Sequence, residues 1–334
     1  MANLKLTLAC WDYDRTRALF DGRVRPEGIE LELWSSYNVG EIMERMLRQR
    51  QFDVSELGIT YYLRSLELMD APFIAIPVFP NRFFRHSAIF VNAEKGIQSP
   101  RDLAGRRVGE LQRYGHDAGI WAKGALSDDF GISAGSMEHY VGGIERTGPG
   151  PDWAPFDPPA DVTIHRLAPE QGLDAMLDRG EIDALFTAHI PPSSRKNPAR
   201  VQRLFPDFEA VERDYFRRTG IFPIMHTVVI RRDVYEQNRW IARALMQAFE
   251  EAKALAMKAY SAADIFFNAP TMIPWFVSLR ERNRTLMGEN FWPYGVEANR
   301  KTLEACLRHH GEQGILKRSY NIEELFAPET LMSG

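Results

Sequence analysis

Several histidine, arginine and carboxylate side chains in this sequence stand at the ends of short apolar runs, where they could handle an anion and a proton. The segment RFFRHS carries Arg82, Arg85 and His86. An arginine fork grips a carboxylate with two parallel hydrogen bonds, and histidine exchanges a proton near neutral pH. In extended chain, alternate side chains share a face, so 82 and 86 point one way and 83 and 85 the other. Arg82 and His86 are therefore expected to face a ligand together. His226 stands alone in IFPIMHTVVI, either hydrogen-bonded inside a core or reactive. Glu56 ends FDVSEL, where it could orient a histidine or cap the next helix beside Ser55. The run WDYDR offers Asp12, Tyr13, Asp14 and Arg15; Arg15 suits an anion best, unless the run is only a solvated turn. Tyr114, Gly115 and His116 precede a predicted helix, whose free N–H groups favour an anion. Thr187 and His189 close EIDALFTAH. His309 and His310 fall on a predicted surface helix and are expected to be solvated. His86, His226, Glu56 and His116 could form a set of histidines and a carboxylate around a metal, but no HxH or HExxH spacing occurs, so no metal is expected.

Groups like these need strand ends to hold them. LKLTLA alternates apolar and polar residues, which predicts a strand over 4–10, and IELELW predicts another over 29–34. A helix is expected over 15–22 and a second over 39–50, on the stripe Ile42, Met43, Met46 and Leu47. Strands follow over 52–58, 72–79 and 85–92, with a helix over 60–69. Ser99-Pro100 starts a helix, with proline at its first position. Beyond it come a strand over 107–110, a helix over 114–129, a Pro/Gly-rich loop over 147–159, and a strand over 162–167. A helix over 169–179 is capped by Gly180, ahead of a strand over 181–189. A long apolar strand is expected within 219–233, then a helix over 241–260 and mostly helical chain. Strands alternating with helices imply parallel sheets covered on both faces, with ligands at the carboxyl ends of the strands. Neither GxGxxG nor the Walker A pattern occurs.

At 334 residues the chain exceeds the size of a single core, so two lobes are expected. Hydrophobic content of 45% and charged content of 26% are those of a soluble globular protein. The net charge of −4 offers no field for nucleic acid. No apolar run approaches the ~18 residues of a membrane helix. Cys10 and Cys306 suggest neither a disulfide framework nor a zinc site, which favours a reducing cytoplasm. LTLAC resembles the end of a lipoprotein signal, but Asn3 and Lys5 interrupt an apolar stretch already shorter than the ~7–15 residues a signal needs. Cys10 is expected to be a small strand residue.

Three segments resemble type II periplasmic binding proteins: GIQSPRDLAGRRVGE, LDAMLDRGEIDALF, and PIMHTVVIRRDVYEQNRWIARALMQAFEEAKALA. The resemblance implies an α/β, two-lobed fold with two crossover strands and a central cleft. One lobe would hold 1–88 and 222–334, the other 89–221. The crossings would run side by side and bring His226 near His86. LACWDYDRTRALFDGRV, FDVSELG, IPVFPNRFFRHSAIFVN, RRTGIFPIMHTVVIRRDVYE and GENFWPYGVEANRKTLE resemble the 4,5-dihydroxyphthalate decarboxylase family more specifically, and ELFAPETL also fits. Residues 112–160 and 189–200 fall outside that likeness.

The resemblance implies loss of CO2 from a hydroxylated aromatic acid without oxidation or an obligatory cofactor. Such a reaction protonates the ring carbon before the carboxylate leaves. It needs a base near the hydroxyls, a proton donor, cations for carboxylates and an apolar wall. His86, His226 and Glu56 are the expected catalytic residues, with Glu56 able to accept a phenol proton. Arg82, Arg85, Arg15, Tyr13, Tyr114, His116, Thr187 and His189 are the expected substrate contacts. The partner is a small aromatic carboxylate, and the C-terminal helices could supply a dimer interface. The rival readings are a non-catalytic solute-binding protein for an organic anion, which would need export, and a cytosolic ligand sensor, which would need a signalling segment.

Overall fold

The structure, a computed structural model, describes residues 2–145, 158–266 and 269–331. Its strands are β1 Leu4–Ala9, β2 Ile29–Trp34, β3 Val54–Gly58, β4 Phe73–Ile76, β5 Ile89–Asn92, β6 Arg107–Leu111, β7 Glu138–Gly142, β8 Thr163–Arg166, β9 Ala184–Phe186, β10 Val201–Arg203 and β11 His226–Arg231. The chain divides into two compact units. The first holds Met1–Arg82, His226–Leu303 and Tyr320–Gly334; the second holds Phe83–Met225 and Glu304–Ser319.

The sheet of the first unit has the order β2-β1-β3-β11-β4. β1 is parallel to β2 and β3, while β11 is antiparallel to β3 and β4. Edge strand β2 keeps its charged alternation, but central β3 is buried at every position, as a strand covered on both faces must be. The helix Val39–Gln49 buries Ile42, Met43 and Met46 and is capped by Asn38, whose side chain accepts from Gly40 N–H. The helix Ile241–Phe266 buries Ile241, Ala242, Leu245, Ala248, Phe249 and Ala252, the stripe expected of a helix with one face inward.

The sheet of the second unit has the order β10-β5-β9-β6-β7-β8. β6 runs parallel to β9 and β7, and β5 antiparallel to β9 and β10. Ile89 and Val91 share one core with Ala122 and Leu126, while Phe90 shares another with Leu173 and Met176. Alternate residues of β5 thus enter opposite layers, and helices cover both faces.

Several expectations need correction. Strand geometry begins only at Ile89; His86–Ala88 is a 3-10 turn, so the alternation that paired Arg82 with His86 does not extend back to them. β5 and β11 belong to different sheets, so the strand pairing expected to carry His226 to His86 is absent. The 219–233 stretch holds a strand only over His226–Arg231, because Thr219 ends the helix Phe208–Thr219 and Gly220 caps it. Residues 83–88, 222–225 and 304–319 pack with the second unit. His309 and His310 are fully buried: His309 Nε2 lies 3.0 Å from Asp128, and His310 Nδ1 lies 2.6 Å from the Cys306 carbonyl. Within the Pro/Gly-rich loop, 147–157 lie outside the described residues.

Candidate active site

The first unit gathers a constellation around Glu56. The carboxylate is fully buried on β3. Parallel pairing sets Leu8 beside Val54 and Ala9 beside Ser55, so the next step brings Cys10 to Glu56. Antiparallel pairing sets Val228 opposite Glu56 and His226 opposite Gly58. His226 is thus a diagonal neighbour of Glu56 on the same face, within reach of a long side chain. The chain turning after β1 delivers Trp11 and Tyr13.

Each carboxylate oxygen is used twice. Oε2 accepts the Trp11 backbone N–H at 2.9 Å and the Cys10 thiol at 3.4 Å. Oε1 accepts the Tyr13 hydroxyl at 2.7 Å and lies 2.5 Å from His226 Nδ1. Burial opposes the charge on Glu56, yet the His226, Trp11 and Tyr13 contacts hold its carboxyl below the usual carboxylate range. An ionised carboxylate only accepts hydrogen bonds. Nδ1 of His226 therefore donates to Glu56, and Nε2 points away from the carboxylate. Nε2 has no hydrogen-bond partner among the described residues, and the side chain keeps 9% of its surface open. This arrangement holds an imidazole by one nitrogen and leaves the other to exchange a proton. Burial, then the neighbouring carboxylate, push both the Cys10 thiol and the Tyr13 phenol well above their ordinary values, so both stay protonated as donors to Glu56.

Arg15 lies beside this constellation. Its guanidinium is stacked between the rings of Tyr13 at 4.0 Å and Trp292 at 4.1 Å. Nε donates to the Pro80 carbonyl and Nη1 to Asp14, leaving Nη2 without a hydrogen-bond partner among the described residues. Two aromatic faces hold the cation rigid, so it is pre-oriented for a carboxylate. It also borders a pocket of about 250 Å³ lined by Tyr260, Phe276, Phe291 and Trp292. Arg82 is otherwise engaged: it is buried, and its Nη2 donates to the Pro293 carbonyl and to Asn299. It ties the chain after β4 to the stretch 293–299 of the first unit.

In the second unit His86 packs edge-on to Phe205 and is tilted against Tyr215. Burial lowers its pKa to about 4, which keeps it neutral near pH 7. Arg85 is buried, with Met225 Sδ 3.1 Å from Nε and 2.7 Å from Nη2. Thr187 is buried at the end of β9, and its hydroxyl accepts the backbone N–H of exposed His189. His116 caps the helix Asp117–Phe130, its Nδ1 accepting from Ala118 N–H at 3.3 Å. Tyr114 is internal, with Lys123 Nζ 3.6 Å from the centre of its ring. Of the residues singled out by sequence, Glu56, His226, Tyr13 and Arg15 come together. His86, His116 and Tyr114 are committed to packing or capping in the second unit. No group of three or more His, Cys, Asp or Glu suited to a metal occurs among the described residues. Cys10 and Trp292 were missed as members of the site. Cys10 carried a signal only as the end of the first strand; its register with Glu56 comes from the fold, and Trp292, far along the chain in GENFWPYG, carried none.

The two α/β units, each built on its own sheet, define the class: the fold is that of type II periplasmic binding proteins. The periplasmic sulfonate-binding protein SsuA of Methylobacillus flagellatus superposes with a TM-score of 0.57 at 14% identity, over 98% of this chain and 92% of that one. The chain belongs to the 4,5-dihydroxyphthalate decarboxylase family. It is 31% identical to the 4,5-dihydroxyphthalate decarboxylase of Comamonas testosteroni, over 100% of this chain and 99% of that protein. It is 32% identical to that of Pseudomonas putida, over 65% of this chain and 83% of that protein. No family model matches the chain.

Proposed function

We propose that the protein is a carboxy-lyase that removes CO2 without oxidation from a hydroxylated aromatic dicarboxylate such as 4,5-dihydroxyphthalate. The observation that carries this reading is the Glu56–His226 pair with its open Nε2. The names of the relatives supply the substrate class.

The chemistry follows from the pair. Nε2 takes the proton of the hydroxyl para to the departing carboxylate, and Glu56 stabilises the imidazolium that forms. The phenolate pushes electron density to the carboxyl-bearing carbon, which then takes a proton from the imidazolium. The C–C bond to the carboxylate breaks, its electron pair restores the aromatic ring, and CO2 leaves. The product phenolate takes one proton from solvent, so each turnover consumes one proton. 4,5-Dihydroxyphthalate would give 3,4-dihydroxybenzoate. Arg15 holds a carboxylate through its open edge.

We also infer a cytoplasmic location. Cys10 is buried against Glu56 rather than presented for lipid attachment, and both cysteines are free thiols. No helix among the described residues is long and apolar enough to cross a membrane.

The test is CO2 release by purified, EDTA-treated protein offered a panel of hydroxylated phthalates and benzoates. Turnover of 4,5-dihydroxyphthalate is expected. Binding of one of these acids without turnover would contradict the reading and favour a solute-binding role.

A further inference from the structure

The second unit holds a buried cation, Arg85, with no ion pair among the described residues. Arg85 is 8% exposed, and its only side-chain hydrogen bonds among the described residues go to the thioether of Met225. Thioether sulfur is a weak acceptor, a poor replacement for the water or carboxylate that a guanidinium normally keeps. Asp117 and Glu212 lie near enough to be felt electrostatically, but neither forms an ion pair with Arg85 among the described residues. Burial without a partner lowers the Arg85 pKa to about 10, although those two acids act the other way. An unpaired buried charge is costly and persists when something else completes it. The other buried lysine or arginine described in the second unit, Lys123, is clamped on Glu110.

The surroundings indicate what would complete Arg85. The guanidinium lies over the ring of Phe83, 5.2 Å from its centre, and Phe83 is 53% exposed. His189 is near enough that Arg85 depresses its pKa after burial, and its backbone N–H is fixed on Thr187. The set is a planar cation, a flat apolar wall and a second nitrogen-bearing ring. We propose that Arg85 and Phe83 form an anion subsite of the second unit that binds a small aromatic carboxylate, the acid on the guanidinium edge away from Met225 and the ring on Phe83. The inference rests on the decarboxylase reading only for the kind of acid expected there.

The test is binding of phthalate, which lacks the hydroxyls that the proposed chemistry needs, by calorimetry with the full chain. Wild-type protein is expected to bind phthalate more tightly than phenol, which has the ring but no carboxylate. Arg85→Met is expected to weaken phthalate at least 30-fold, and Phe83→Ala about 5-fold. Arg85→Lys, which keeps the charge and loses the fork, is expected to weaken it about 10-fold and covers the case in which Arg85→Met does not fold. Phthalate affinity unchanged in Arg85→Met, or in Arg85→Lys if only that variant folds, overturns the subsite. CO2 release from 4,5-dihydroxyphthalate by the wild type, measured alongside, reports separately on the decarboxylase reading: its absence with Arg85-dependent binding intact would leave the subsite standing.

Discussion

Each unit buries a glutamate near the carboxyl end of a central strand, and the two are wired in opposite ways. Glu110 on β6 faces Lys123, whose Nζ lies 2.9 and 2.7 Å from its two oxygens; both side chains are fully buried. Gly115 N–H adds a bond at 2.9 Å, and His139 Nδ1 lies 3.5 Å away. Gly119 leaves the room, since a Cβ there would come 2.1 Å from Oε1. Burial opposes the Glu110 charge, but Lys123 and His139 outweigh it and hold the carboxyl far below its usual range. Glu56 on β3 is equally buried and also held as an anion, but by a thiol, a phenol, a peptide N–H and an imidazole. The Glu110 set is closed by the Lys123 ammonium, which spends its hydrogen bonds on both carboxylate oxygens. The Glu56 set ends in His226, which has a nitrogen to spare. A perturbed buried carboxylate therefore does not by itself mark a site; an open valence at the end of its hydrogen-bond chain does.

The largest effect should come from breaking the closed set. Lys123→Met leaves Glu110 buried without its cation and is expected to cost about 3–5 kcal/mol of stability. Denaturant unfolding measures this, and kcat of the protein that remains folded should be nearly unchanged. His226→Ala should do the reverse, lowering kcat for CO2 release by about 10³-fold with a stability change of about 1 kcal/mol. If the two variants changed stability and rate alike, the contrast between the units would dissolve.

Acid unfolding sharpens the comparison further. Burial lowers the pKa of His310, bonded to Cys306 in the second unit, from 6.5 to about 4. Between those values the unfolded chain binds a proton that the folded chain does not. This contribution to stability is therefore full above pH 6.5 and is lost as pH falls towards about 4, at a slope of up to about 1.4 kcal/mol per pH unit. His86 adds to the same window. His310→Asn should flatten the slope measured by urea unfolding at pH 4.5–6.5 and leave kcat at pH 7 unchanged.

Where local pattern determines the outcome, the sequence was readable. The alternation in LKLTLA and IELELW appears as β1 and β2, and the capped helix starting at Asn38 follows its apolar stripe. Ser99-Pro100 does open a turn, with Asp102 completing a capping box on Ser99, although the turn is 3-10 rather than α. Glu56, His226, Tyr13 and Arg15 could be singled out because each follows or ends an apolar run. Their mutual bonding could not, because it depends on a β3–β11 register between residues 170 positions apart. His86 was misplaced because a 3-10 turn breaks the alternation just before β5. The helix Phe208–Thr219 was missed because only Tyr215 of its twelve residues is buried, leaving almost no apolar stripe to read. His309 and His310 read as solvent-facing because their partners, Asp128 and the Cys306 carbonyl, belong to tertiary packing that no periodicity encodes.

The central claim is that Glu56 and His226 act as one proton-transfer unit. The most direct measurement is a double-mutant cycle on kcat for CO2 release, using Glu56→Gln, His226→Asn and the two combined. Groups that act as a unit are strongly non-additive, so the double variant is expected to be no slower than His226→Asn alone. A double variant slowed by the product of the two single effects would mean that the residues act independently, and would contradict the account.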